Sequence, residues 1–136
     1  MACFLAGAAE AVVVTAAAAV VRKSEIKKEA ERLKKAPDAV IEEKAVIPWS
    51  RKLRWLSYLL WGGVILLAFE HLWHGEVVPW FPFLTAMGDP ADTADMLHEI
   101  STVGVAMCAL VTAVWGVVCA VADAIIRRSG KAAQEG

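Results

Sequence analysis

Between Trp55 and Ile126 the chain runs for 72 residues without a lysine or arginine, although it carries 14 of them in 136 residues. Apolar runs lie at both ends of that stretch, so the solvent it needs constrains it more than any motif does. Crossing a hydrocarbon core takes about 20 mainly apolar residues in one helix. Two such runs lie here, about 55–74 and about 101–126, and a third, about 2–21, precedes them. In hydrocarbon each backbone N–H and C=O must be satisfied internally, which makes runs of this kind helical. The expected fold class is all-α: an integral membrane protein with three transmembrane helices, the second and third forming an antiparallel hairpin.

The composition agrees, at 58% hydrophobic with a mean hydropathy of +0.52. What remains outside the spans is too small for a soluble catalytic domain with its own core. Charge then sets sidedness. Residues 22–54 hold eleven Lys/Arg against six Asp/Glu, and residues 127–136 add Arg127, Arg128 and Lys131. Basic flanks stay in the cytoplasm. This predicts a multi-pass protein of the cell (plasma or inner) membrane, N-terminus and the 75–96 loop outside, the 22–54 loop and C-terminus inside. The first span has no positive flank ahead of it, as a cleaved signal peptide would, so it is expected to be retained. Cys108 and Cys119 are about 16 Å apart along one helix, too far to bridge each other.

Taken in order, the first span is Ala-rich, with Gly7, Ala11, Thr15 and Ala19 four apart, a spacing that lets helices approach closely. Glu10 lies near mid-bilayer, where a carboxylate is costly: it is read as a protonated Glu hydrogen-bonded to a neighbouring helix, as an ion or proton site, or as lying near the surface of a shorter helix. A carboxylate in an Ala/Gly-rich span resembles the rotor subunits of ATP synthases; three spans and a long charged loop set this chain apart from them. The helix is expected to run on into the cytoplasm, with Ile26, Ala30 and Leu33 on one face, and to stop at Pro37. Lys27–Glu31 and Glu31–Lys35 have the spacing of helical ion pairs. Trp49 and Trp55 suit an interface, where Arg51, Lys52 and Arg54 would meet anionic headgroups. Acids interleave the basic stretch and no recognition motif is present, so nucleic acid is not an expected partner.

The second span carries Gly62-Gly63, which could kink it or admit a neighbour, and ends in Glu70-His71-Leu72-Trp73-His74-Gly75, with Gly75 a natural stop. The loop 75–89 is aromatic and broken by Pro79 and Pro82, which suits a belt of Trp73, Trp80, Phe81 and Phe83 at headgroup level; a shallow re-entrant loop over 77–87 is the alternative. A helix from 90 to 128 follows, with Asp89 as N-cap, Pro90 at its first position, and Ser101 and Gly104 as points where it could bend. Ala106, Ala109, Ala113, Gly116 and Ala120 make its small-residue stripe, expected to pack on the second span or a second copy, with Trp115 beside it. Asp123 and Arg127 are spaced to pair.

Candidate chemistry gathers at the outer end. Glu70 and His74 share a face of one helix; Asp95, His98 and Glu99 lie on its neighbour. Three readings are open. One is a hydrogen-bonded, charge-paired clasp. The second is a divalent metal site of Glu70, His74, Asp95, His98 and Glu99, a donor set suited to Zn, Mn or Fe. The spacing of Asp95 and His98 resembles the carboxylate-x-x-His element of di-iron bundles, although only one such element is present. The third is a proton or cation path through Glu10, Glu70 and His71. Haem is disfavoured, since no Cys-x-x-Cys-His occurs, and no Gly-x-Ser-x-Gly elbow frames Ser57, Ser101 or Thr102. The function expected is a non-enzymatic membrane subunit whose partners are the lipid bilayer and either itself or a larger membrane complex. The alternative is a metal-binding or ion-conducting protein.

Overall fold

A computed structural model describes residues 2–35 and 46–135, with side chains as far as residue 130. The chain is helical throughout its spans: α1 (Phe4–Lys35), α2 (Trp49–Trp73), α3 (Pro90–Glu99) and α4 (Val105–Glu135), with a 3-10 turn at Thr85–Gly88 and a π-helical turn at Ile100–Gly104. Three helical runs are long and apolar enough to cross a membrane: Phe4–Lys35, Trp49–Trp73 and Pro90–Gly130. At 1.5 Å per residue α1 is about 48 Å long, so it carries its charged second half well beyond any bilayer core. The expected stop at Pro37 lies outside the described residues.

The local signals near the loop do what their chemistry requires. After Trp73, Gly75 takes φ 74°, while Gly75 N–H donates to Leu72 O and Glu76 N–H to His71 O. That pair of bonds closes the free carbonyls of the last turn in the Schellman manner. Asp89 caps α3, its carboxylate accepting from Ala91 N (2.7 Å) and Asp92 N (3.4 Å). Between them the loop folds on itself through Val78 N–H to Phe83 O and Thr85 N–H to Glu76 O. It leaves Trp73, Trp80, Phe81 and Phe83 exposed. The π turn falls where Ser101 and Gly104 were expected to bend the helix. There Ser101 and Thr102 hydroxyls both donate to His98 O, drawing that carbonyl out of the regular ladder.

The most extensive contact is between α1 and α2. It is built on the Gly7-Ala11-Thr15 stripe. Ala11 is 0% exposed and packs with Leu56 and Leu60, and a Cβ on Gly7 would stand 3.1 Å from Val64 Cγ2. Thr15 completes the seam. Its hydroxyl donates to Ala11 O (2.6 Å), so it must accept from Ser57 Oγ (2.7 Å) and Trp61 Nε1 (3.1 Å). One donor and two acceptor sites are thereby all used.

Helix α4 lies against this pair on a face other than its small-residue stripe, so the stripe does not pack on the second span. Cys108, Val111, Thr112, Trp115 and Cys119 turn inward, whereas Ala106, Ala109, Ala113, Gly116 and Ala120 are all exposed. Small residues permit close approach; they do not attract a helix unless the partner offers a matching groove, and α1 is already seated in the groove of α2. Gly62 and Gly63 likewise meet nothing within 4 Å of an added Cβ, and α2 runs unbroken through them. Gly104 is a second point of close approach beside Gly7, since a Cβ there would stand 3.0 Å from both Ala6 Cβ and Cys3 O. Gly104→Val should therefore destabilise by about 1–3 kcal/mol, read as a lowered melting midpoint in detergent. Gly62→Ala should hold or gain stability, as for glycine replaced inside a helix.

Candidate functional site

Polar side chains join the three long helices at successive levels. At the acidic end the first turn of α1 meets the last turns of α2. His71 is 6% exposed. Its Nδ1 donates to Leu67 O, one turn back (2.7 Å), which places a proton on that nitrogen because a carbonyl can only accept. Nε2 then faces Cys3 Sγ at 3.6 Å and Glu76 Oε2 at 3.7 Å. In the neutral ring Nε2 accepts from the thiol; in the charged ring it pairs with the carboxylate. Phe4 packs edge-on against the imidazole, with centroids 5.3 Å apart.

Midway down, Glu10 of α1 reaches α4. Thr112 Oγ1 donates to Glu10 Oε1 at 2.7 Å, and the Cys108 thiol lies against the same carboxyl. The second oxygen, Oε2, is buried with no hydrogen-bond partner among the described residues. Between these levels α1, α2 and α4 enclose a cleft of about 60 Å³, lined by residues including Gly7, Gly63, Val64, Gly104 and Met107. Only the thiols of Cys3 and Cys108 interrupt its apolar walls. A substrate-sized site is several times larger, about 300–1,000 Å³.

At the basic end the pairing departs from the sequence expectation. Asp123 binds Lys52 at 2.6 Å rather than Arg127. Lys52 is 5% exposed, its ammonium lies 5.1 Å from the Trp49 ring centroid, and its carbonyl accepts from Trp115 Nε1 at 2.8 Å. It therefore does not face headgroups as Arg51 and Arg54, both exposed, can. Sequence spacing favoured Arg127 because i,i+4 pairs are visible within one helix, whereas a partner 71 residues away is not.

Most of the residues expected to form the outer cluster lie at the surface. Glu70, His74, Asp95 and His98 are exposed and Glu99 is half-buried. Among the described residues no group of three or more His, Cys, Asp or Glu is placed to hold a metal ion. Of the expected path, His71 and Glu10 are interior and Glu70 is not. Sequence reasoning missed Cys3, Glu76 and Thr112 as partners. Depth would have found two of them: Cys3 and His71 lie nineteen and seventeen residues from Arg22 and Arg54, and Glu10 and Thr112 twelve and fifteen from Arg22 and Arg127.

No protein-family model matches the chain, no curated protein resembles it in sequence, and no solved structure matches its fold. The geometry separates the three histidines by experiment. His71→Ala should cost about 1–3 kcal/mol, for it strips a buried hydrogen-bonded ring from the α1–α2 contact. His74→Ala and His98→Ala, both exposed, should stay within about 0.5 kcal/mol of the parent. Thermal melts of the three variants in one detergent check this.

Proposed function

We propose that the chain is a small multi-pass membrane subunit that carries out no catalysis of its own and assembles with itself or with a larger membrane complex. The observation that carries this is the state of α4. One stripe of it is used inside the chain, while the whole Ala106–Ala109–Ala113–Gly116–Ala120 face is exposed. In a bilayer such a face gains from a close-packed protein neighbour what it cannot gain from mobile lipid tails. The end bearing Arg22, Arg51 and Arg127 faces the cytoplasm of a plasma or inner membrane, by the distribution of positive charge, and the aromatic loop lies at the opposite headgroup layer.

Mass measurement in a mild detergent tests the assembly. A particle heavier than one 14.6 kDa chain, or a co-purifying partner, is expected, and Gly116→Ile should lower the assembled fraction. A monomer with nothing bound would contradict it.

Glu10 favours a second reading, proton or cation handling, because one of its oxygens is buried between helices with no hydrogen-bond partner among the described residues. Glu70 and His71 would then lie on its path toward the outer face. Ion flux into liposomes together with elemental analysis decides it. Flux that disappears in Glu10→Gln would support the reading. No flux and no metal in the parent protein would end it.

A further inference from the structure

The second half of α1 stands in water and is unlike the rest of the chain in what its exposure means. Ile26 and Leu33 are 59% and 49% exposed, and with Ala30 they form one face in steps of four and three. Lipid can cover an apolar face inside the bilayer; past the headgroups, at Ala30 and Leu33, it cannot. Nor does α2 of the same chain cover it. On the arm the side toward α2 is marked by Glu25, whose Oε1 accepts from Ser50 N at 3.4 Å. That side continues the buried line of Ala11 and Ala18. At 100° per residue the Ile26–Leu33 face is turned roughly 90° from it.

The same register continues into the span. Stepping back from Ile26 by alternate threes and fours reaches Lys23, Ala19, Ala16, Val12, Ala9 and Leu5, and every one is exposed. A repeat of alternate threes and fours is the seam of a left-handed coiled coil. With Ile26 and Leu33 at d and Ala30 at a, Glu29 falls at g and Lys34 at e. In two parallel helices those positions face each other across the seam. Copies inserted the same way round in a membrane are necessarily parallel.

We infer that two copies of the chain pair through α1, along the Leu5–Leu33 seam, with Glu29 of each copy against Lys34 of the other. The inference rests on the assembly proposed above, names a second copy as the partner, and adds to the α4 face a separate surface on α1. Lys23, with Arg22 and Lys27 beside it, weakens the seam at headgroup level. The pairing is therefore modest for its length and depends on the bilayer to hold both arms aligned and at high local concentration.

The test is crosslinking of the full-length chain in liposomes, with Cys3, Cys108 and Cys119 replaced by alanine. Ala30→Cys is compared with Arg32→Cys, which points away from the seam. A bismaleimide should join Ala30→Cys copies and leave Arg32→Cys copies largely single. Glu29→Lys alone and Lys34→Glu alone should each lower the crosslinked fraction roughly threefold, the scale that two exposed ion pairs support. Together they should restore it. Glu29, Ala30, Arg32 and Lys34 are all exposed, and every variant shares the same cysteine-free background, so loss of folding does not confuse the comparison. Equal crosslinking at both cysteines, or no recovery in the double variant, would overturn the inference. So would an intrachain crosslink from Ala30→Cys to Ile41→Cys in place of the dimer, which would assign the face to the chain's own following segment. An assembled particle that fails to crosslink at Ala30→Cys ends this inference and leaves the assembly standing; a monomer ends both.

Discussion

Helices already in hydrocarbon gain nothing by hiding apolar surface from one another, so contact among α1, α2 and α4 must come from close approach and hydrogen bonds. Both are rationed along the chain. Gly7 and Gly104 bring backbones together at the acidic end. Thr15, Ser57 and Trp61 share one saturated hydroxyl lower down. Lys52 and Asp123 close the basic end. Such a buried ion pair adds little net stability once desolvation is counted. Its effect is on register: with the Trp115 indole held by the Lys52 carbonyl, α4 can sit at one height against α2.

Which segments become helices, and where they stop, was legible because those signals are local. Gly75 ends α2, Asp89 and Pro90 start α3, and Ser101 with Gly104 marks the π turn. Which faces pack was much less legible, and lipid is the reason. In water an apolar stripe identifies the buried face; in a span every face is apolar, and small residues mark only where approach is permitted. The stripe on α4 was the most regular and is unused within the chain, while the plainer Gly7-Ala11-Thr15 stripe carries the main seam. Pairs between helices followed depth instead of spacing. Cys3 with His71 and Glu10 with Thr112 each match in distance from the basic flanks.

The histidines show the same division. His71 was grouped with Glu10 and Glu70 as part of a path, and it is the one imidazole drawn into the bundle, with its tautomer set by Leu67 O and its other nitrogen shared between Cys3 and Glu76. His74 and His98 occur in equally suggestive sequence settings and face outward. A contact between one carboxylate, one thiol and one imidazole is sufficient to fix the end of α1 on α2, whatever further chemistry the acidic end supports.

All of these inferences depend on three crossings of a bilayer with both basic flanks on one side. The direct measurement is labelling of single cysteines by a membrane-impermeant maleimide in sealed vesicles, in the background lacking Cys3, Cys108 and Cys119. Ser24→Cys and Ser129→Cys should react from one side of the membrane and Thr85→Cys from the other. Reaction of all three from the same side, or release of the chain from the vesicles by alkaline carbonate, would contradict the account.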